Sequence, residues 1–337
     1  MNINQMNIGI LGLGVSGYWA AKLASSFGAN VFVSDSKSDI SDEYLVELRE
    51  IGIDIELGNH SNKILNSDLI IKSPGIPSDI KIINKILDNN LEMISEIEFA
   101  YRLSELKIIA ITGTNGKTTT VTCLYNVLKK EFNVVKSGNI GNPFSEIIYQ
   151  QNKSKDSSTD FCILELSSFQ IDDIDTFKPD IAMILNISRD HLDRYEDFSD
   201  YSNSKMGLFK NMTHDDLIIY NHDDSILCDE IEKIDRVFMS YSLDKKFSRF
   251  HLDNREIKSS NSDEILKIDD CKISGIHNVS NFIGVATIGS YLGLNDKEIF
   301  ESLREFEGLR HRFEIFKEIN GIRFINDSKA TNIASVE

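Results

Sequence analysis

Positive charge is scarce in this sequence: 36 Lys and Arg stand against 53 Asp and Glu, a formal net charge of -17 over 337 residues. A far field of that sign repels polyanions, which argues against broad nucleic-acid or anionic-membrane binding and leaves local capture of a small anion open. Cysteine is sparse as well. Cys123, Cys162, Cys228 and Cys271 form no close pair, so neither a disulfide frame nor a zinc site is expected, and reduced thiols in a cytoplasm fit better. No Lys or Arg precedes Lys22, and the early apolar run is cut by Gly9, Gly12 and Gly14, so no secretory signal is expected. No stretch of about 20 apolar residues occurs, and no membrane span is expected. Internal repeats and low-complexity segments are missing too. What remains is 41% hydrophobic and 26% charged, ordinary for a soluble globular protein, at a length that suits two or three domains.

The first hundred residues alternate β-type and helical runs: "MNIGIL", a helical stretch over 16–27, "NVFVSD", another over 41–51, "DLIIKS", and another over 80–88. Such alternation implies right-handed βαβ units on a parallel sheet. A helical stretch in "ISEIEFAYRLSEL" closes this unit and leads into the strand "KIIAIT", where the pattern restarts. A helix over about 118–130, buried-type strands "DFCILEL" and "DIAMILNI", a helix near 199–210 and strands "DLIIY" and "RVFMSY" follow. The polar, alternating stretch 241–276 predicts short antiparallel hairpins. "HNVSNFIGVATIGSYLGL" has helical spacing, with Asn278 a candidate N-cap. "FEIFKEI" and "GIRFIND" are joined by Asn320-Gly321, a strong hairpin dipeptide, and "SKATNIASVE" reads as the start of a helix.

Two glycine loops carry chemistry. "GLGVSG" places Gly12, Gly14 and Gly17 after a strand and before a helix, with Asp35 ending the next strand. That pattern suggests a dinucleotide site with Asp35 on a ribose hydroxyl. The physics asks only for bare N–H groups at a helix N-terminus facing a diphosphate, so UDP fits equally, and a tight βα turn without ligand is the bland alternative. "TGTNGKTT" is the sharper signal. Gly113 and Gly116 let backbone amides wrap phosphate oxygens, Lys117 supplies a point charge to the β- and γ-phosphates, and Thr118 can hold Mg²⁺. The loop departs from the strict pattern, whose first Gly would fall on Ile111. Glu165 ends a buried strand and could meet that metal, because a buried Glu is costly without a cation or donor. His191 in "SRDHLDRY" and Lys205 in "YSNSKMGLF" are weaker taken singly, as a loop His is more often structural and a helix Lys usually just solvated.

"ITGTNGKTTT", "SGNIGNP", "LELSSFQI", "LNISRDHLDRY", "SGIHNVSN", "GLRHRFE" and "INDSKATN" fall in one order along the chain. Together they closely resemble the bacterial Mur ligases, over essentially the whole sequence, and "ELSSFQ" with "GLGVSG…VSDSK…KSPGIP" resembles the branch that joins D-glutamate to UDP-N-acetylmuramoyl-L-alanine. The resemblance implies an α/β protein: a Rossmann-like domain over 1–105 that binds the UDP substrate, a P-loop-type α/β ATPase domain over 106–308, and the start of a third α/β domain over 309–337. It implies that Val15, Ser16 and Gly17 lie at the diphosphate, Asp35 and Ser36 at the uridine, and Ser73 and Gly75 close the pocket. Asn139 would reach the sugar-diphosphate portion, and Ser167 and Ser168 would line the substrate channel. ATP would be held by Gly113, Thr114, Asn115, Gly116, Lys117, Thr118 and Thr119, with Asn278 and Asn281 on the adenine side, Arg312 on the γ-phosphate, and Asp327 and Lys329 on ribose and phosphate. Two Mg²⁺ ions are implied, one on Thr118 and Glu165, the other on His191 and a carbamylated Lys205.

The implied reaction passes through an acyl phosphate, with Lys117 and Arg312 as electrostatic stabilisers and no nucleophilic side chain. A cytoplasmic monomer using ATP, D-glutamate and the UDP-muramoyl substrate is expected, with no nucleic-acid or membrane partner. Because only the first strands of the third domain are present, the chain as given is expected to bind the UDP substrate and to have little or no ligase activity. Three rival readings are an NAD-dependent oxidoreductase built on Gly12, Gly14, Gly17 and Asp35, another amide ligase of the same superfamily, and a non-catalytic UDP-muramyl binding module.

Overall fold

The computed structural model describes the chain except residues 78, 155–157, 191–193, 331 and 333–337. It divides into two compact units interleaved in sequence. The first comprises residues 1–106, 137–159 and 167–178, the second residues 107–136, 160–166 and 179–337.

The first unit is built on β1 (Asn7–Leu11), α1 (Val15–Ser26), β2 (Asn30–Asp35), α2 (Asp42–Glu50), β3 (Asp54–Leu57), β4 (Leu69–Lys72), α3 (Lys81–Asp88), β5 (Met93–Ser95) and α4 (Glu96–Arg102). Its strands form a parallel sheet in the order β3-β2-β1-β4-β5. The central strands read as unbroken apolar runs because both faces are covered: Ile8, Ile10 and Leu11 of β1 and Leu69, Ile70 and Ile71 of β4 are buried. From β1 the chain winds toward β3, and from β4 it winds the other way. Connections therefore diverge from the C-terminal ends of β1 and β4, where an open parallel sheet leaves a crevice for a ligand.

The chain continues through β6 (Lys107–Thr112), α5 (Lys117–Leu128), β7 (Val134–Gly138), α6 (Phe144–Ser154), β8 (Phe161–Glu165), α7 (Ser168–Asp172), β9 (Ile181–Ile184), α8 (Phe198–Met206), β10 (Leu217–Asn221), α9 (Ser225–Ile231) and β11 (Val237–Tyr241). Of these, α6 packs on α1 and α4 within the first unit. The second unit's main sheet has the order β11-β10-β9-β6-β8-β7. β8 and β9 flank β6 in parallel register, Ile111 facing Glu165 on one side and Met183 on the other. Three adjacent strand ends thus deliver the second glycine loop, Glu165 and the segment after Ile184 to one edge.

The hairpins expected over 241–276 are present as a three-stranded antiparallel sheet of β12 (Phe250–Asp253), β13 (Glu256–Ser259) and β14 (Ile265–Lys267). Next come α10 (Ile276–Tyr291) and α11 (Asp296–Glu305), both packed on α5, and the hairpin β15 (Glu314–Ile319) with β16 (Ile322–Asn326). Its turn residues have φ of 50° at Asn320 and 76° at Gly321, the left-handed pair that a two-residue turn demands. Asn278 is not the N-cap of its helix. The cap is Gly275 with φ of 103°, and Asn278 lies in the first turn, its Nδ2 donating to the Ser274 carbonyl at 2.7 Å. The entry into α10 needs a backbone angle that glycine tolerates and asparagine at 278 does not supply. Among the described residues no helix is long and apolar enough to cross a membrane.

Candidate functional site

In the first unit the loop after β1 is shaped by three constraints. Gly12 has φ of 97°, and a Cβ on Gly17 would sit 1.9 Å from the Gly12 carbonyl oxygen, so α1 can approach the strand end only with glycine there. The Ser73 hydroxyl, at the end of β4, donates to the same Gly12 carbonyl at 2.9 Å. Asp35 is the third. Its Oδ2 accepts the Leu13 N–H at 2.6 Å and its Oδ1 accepts the Lys37 N–H at 2.8 Å. The carboxylate expected at a ribose or uridine is also the brace that holds the turn.

Val15 is exposed and Ser16 half-buried in the first turn of α1, where helix N–H groups lack intrahelical acceptors, and Ser36 is exposed just past β2. Gly75 is exposed, and a Cβ there would meet nothing within 4 Å. Among the described residues nothing in the packing requires glycine at that position. Asn139 stands exposed on a tight loop closed by bonds from the Gly138 N–H and the Ser137 hydroxyl to the Asn142 carbonyl, at 3.2 and 2.7 Å. Ser167 is the N-cap of α7 in a full capping box with Gln170, and Ser168 is buried behind it. Sequence reasoning passed over two buried ionic features here. Lys72 is paired with Asp173 at 2.8 Å, and Glu98 collects donors from residues 175–177. Charged residues inside apolar-looking runs were the available signal.

In the second unit Gly113 and Gly116 have φ of 151° and 84°. A Cβ on either would also collide, at 2.9 Å from Leu185 Cβ and 2.9 Å from Asn281 Oδ1. Lys117 Nζ donates to the Gly113 and Thr114 carbonyls, each at 2.8 Å. Burial pushes its pKa down, the carboxylates of Glu165 and Asp190 oppose that, and the Arg312 guanidinium adds to it. Lys205, buried on α8, donates to the same Gly113 carbonyl at 2.9 Å with its ammonium 4.7 Å from the centre of the Tyr201 ring. Thr118 Oγ1 accepts from Arg312 Nη2 at 2.9 Å. The Thr114 hydroxyl lies 3.1 Å from that of Tyr201. Glu165 is buried beside Ile111.

Next to this loop lies a cleft of about 850 Å³, within the range of small-molecule sites. Of the residues expected around ATP, Asn115, Gly116, Thr119, Asn278, Asn281, Arg312, Asp327 and Lys329 line it. Asp327 accepts the Phe313 N–H at 3.0 Å and the Lys329 N–H reaches the His311 carbonyl, so this stretch is tied to the segment bearing Arg312. His191 lies outside the described residues. Among the described residues no group of three or more His, Cys, Asp or Glu could hold a metal ion. Thr118 and Glu165 offer hard oxygen donors of the kind that magnesium takes, and in this structure the threonine oxygen accepts from Arg312.

Comparison with known proteins gives consistent results. The family described as the Mur ligase middle domain matches residues 111–289, and that described as the MurD N-terminal domain matches residues 7–82. The chain is 40% identical to the UDP-N-acetylmuramoylalanine--D-glutamate ligase of Cytophaga hutchinsonii, covering 98% of this chain and 75% of that one. It is 35% identical to the enzyme of the same name from Caldanaerobacter subterraneus, over 98% of this chain and 73% of that one. Among solved structures, the fold is similar to that of UDP-N-acetylmuramate-alanine ligase from Thermotoga maritima, with a TM-score of 0.59 at 23% identity, covering 96% of this chain and 74% of that one. It is also similar to that of a UDP-N-acetylmuramate:L-alanyl-gamma-D-glutamyl-meso-diaminopimelate ligase from Neisseria meningitides, with a TM-score of 0.64 at 18% identity over 91% of this chain and 99% of that one.

Proposed function

This chain belongs to the Mur ligase family, and from that premise we propose that it serves peptidoglycan precursor synthesis by joining D-glutamate to UDP-N-acetylmuramoyl-L-alanine at the expense of ATP. The observation that carries the reading is the pair of glycine loops, each at the C-terminal edge of its own parallel sheet. One is braced by Asp35 and Ser73, and the other carries Lys117 with Arg312 at Thr118 and opens on the cleft. Two anionic ligands are thereby accommodated, a nucleotide diphosphate in the first unit and a triphosphate in the second.

A carboxylate oxygen of the L-alanyl group attacks the γ-phosphorus of ATP, forming an acyl phosphate and releasing ADP. The amine nitrogen of D-glutamate then attacks the acyl carbon, the carbon–oxygen bond to phosphate breaks, and the amine's proton is lost as the amide forms. No side chain has to form a covalent bond. Lys117 and Arg312 neutralise charge on the phosphoryl oxygens in both steps. The low-dielectric surroundings that depress Lys117 also strengthen its attraction to an anion. Thr118 and Glu165 would hold magnesium, which would supply further charge neutralisation there. Lys205 as an ammonium does not suit a second cation. If its ammonium lost a proton and the free amine added CO₂ with release of a second proton, the resulting carbamate would offer an anionic oxygen that, with His191, would suit magnesium.

The NAD-dependent alternative leaves the second loop and its cleft without a role. Titration calorimetry distinguishes the two: UDP-N-acetylmuramoyl-L-alanine and MgATP each bind at one site, and NADH does not compete with UDP. Saturable NADH binding that UDP displaces, or no heat with MgATP in excess, overturns the assignment.

A further inference from the structure

We propose that Asn186, two residues beyond β9, is a positioning residue that presets the nucleotide loop by clamping the peptide of Asn115. The inference rests on the reading of that loop as the ATP site. Between Thr112 and Lys117 the loop has two glycines at positive φ and so little stiffness of its own, which means that its shape has to be imposed from outside. Asn186 does this with three hydrogen bonds. Its carbonyl accepts the Thr114 N–H at 2.9 Å, its Oδ1 accepts the Asn115 N–H at 2.8 Å, and its Nδ2 donates to the Asn115 carbonyl at 3.1 Å.

A carboxamide is the side chain suited to this task, because it offers one acceptor and one donor side by side, matching the N–H and C=O of a single residue. A carboxylate matches only the first and a hydroxyl spans neither distance. The clamp directs the Asn115 N–H to the protein and not to a phosphate, and so leaves the amides that follow it, at the start of α5, to face the anion.

The anchor is itself fixed. Asn221 Nδ2 donates to the Leu185 carbonyl at 3.1 Å, and the Ile187 N–H donates to Asp224 Oδ2 at 2.9 Å, so the residues on both sides of Asn186 are tied to the β10–α9 connection. The same Leu185 closes the space above Gly113. Rigid support behind a binding loop lowers the ordering cost that a ligand otherwise meets on arrival.

The test uses the full chain with Asn186→Ala and Asn186→Asp, followed by amide hydrogen exchange at residue 115 without nucleotide and by calorimetry with MgATP. Asn186→Ala should speed Asn115 exchange and weaken MgATP about tenfold, while UDP binding, read in the other unit, stays within twofold. Asn186→Asp keeps the acceptor, so Asn115 should remain protected although MgATP binding still weakens through the lost donor and the added charge. A purely structural role predicts no such split between the variants. Unchanged Asn115 exchange in Asn186→Ala, or MgATP affinity within twofold of wild type in both variants, overturns the clamp. If the wild-type chain fails to bind MgATP, the ATP reading fails, and the exchange measurement still decides whether the clamp exists.

Discussion

Replacing Glu98 is expected to destabilise the first unit more than any exposed substitution could. Glu98 is fully buried on α4 and its carboxylate gathers five donors. Oε1 accepts from Arg102 Nε at 2.7 Å, the Thr176 N–H at 3.0 Å and the Thr176 hydroxyl at 2.6 Å, and Oε2 accepts the Asp175 and Phe177 N–H groups at 3.0 and 2.9 Å. Burial alone would raise its pKa, but the bonds from Thr176, Arg102 and the backbone outweigh it and hold the carboxyl below its usual range. In Glu98→Ala, water can reach the exposed Asp175 and Thr176 donors. The buried Phe177 N–H loses its acceptor, whereas the Arg102 guanidinium loses one of three carboxylates and keeps Glu92 and Asp175 at 2.6 and 2.9 Å. At about 1–3 kcal/mol for the stranded buried donor, and about 1 kcal/mol for a bond lost from a guanidinium that keeps two others, the loss comes to about 2–4 kcal/mol. That is a large part of a domain's usual stability of about 5–15 kcal/mol. The only tryptophan, Trp19, lies on α1 in the same unit, so urea unfolding followed by its fluorescence reads this unit directly. Because the folded pKa is depressed, the stabilisation is full above the unfolded value of about 4.3 and is lost as pH falls through the folded value. The gap between wild type and Glu98→Ala should therefore be widest near neutrality and close only at strongly acidic pH. A difference below about 0.5 kcal/mol at pH 7 would refute this reasoning, since exposed substitutions commonly reach that size.

Glu96, two residues earlier on α4, should respond in the opposite sense. It is fully buried with, among the described residues, the Ser145 N–H and hydroxyl as its donors, and burial pushes its pKa up against those bonds. Ionising it opposes folding, so Glu96→Gln should raise the urea midpoint above pH 5 and leave it unchanged below about pH 4, where Glu is protonated in both states. Asp35→Ala should lower the stability of the first unit by about 1–3 kcal/mol as well as UDP affinity, because the Leu13 and Lys37 N–H groups lose their acceptor. Weaker UDP binding with unchanged stability would make Asp35 a ligand contact and not a brace. Gly17→Ala should destabilise by at least about 2 kcal/mol, its Cβ meeting the Gly12 carbonyl. Gly75→Ala should leave the urea midpoint unchanged, so any loss of UDP-muramoyl binding in calorimetry is then a direct effect on the ligand.

What could be read in the sequence followed from burial. β1, β4, β6, β8 and β9 are apolar along their length because both faces of a parallel sheet are covered, and their order was evident, although β7, α6 and α7, which fall between β6 and β9, were not. β3 and α9 were not, one an edge strand reading "DIEL" and the other only seven residues long. The helix α11 carried its signals, an Asn295 N-cap with Asp296 and Glu298 in the first turn, but these stood in a polar stretch where no apolar run drew attention. For the site, glycines at 12, 17, 113 and 116 announce a backbone requirement wherever they occur, and the positive φ or the close contact found at each supplies its cause. Supporting residues behave differently. Asn186, Glu98 and Lys72 act through partners 71, 77 to 79 and 101 positions away, distances at which nothing local in the sequence constrains them. Local patterns therefore mark the residues that set backbone shape and some that hold it, Asp35, Ser73 and Asn186 all falling within motifs, but what each of these grips emerges only once the chain has folded. The interleaving of the two units makes the same point, because the short strap 167–178 follows Glu165 almost directly yet is held in the first unit by Glu98 and Lys72. A carboxylate at 98, outside the motifs that carry the family resemblance, and an ammonium at 72, inside "KSPGIP", thus decide where the Ser167–Ser168 turn is placed.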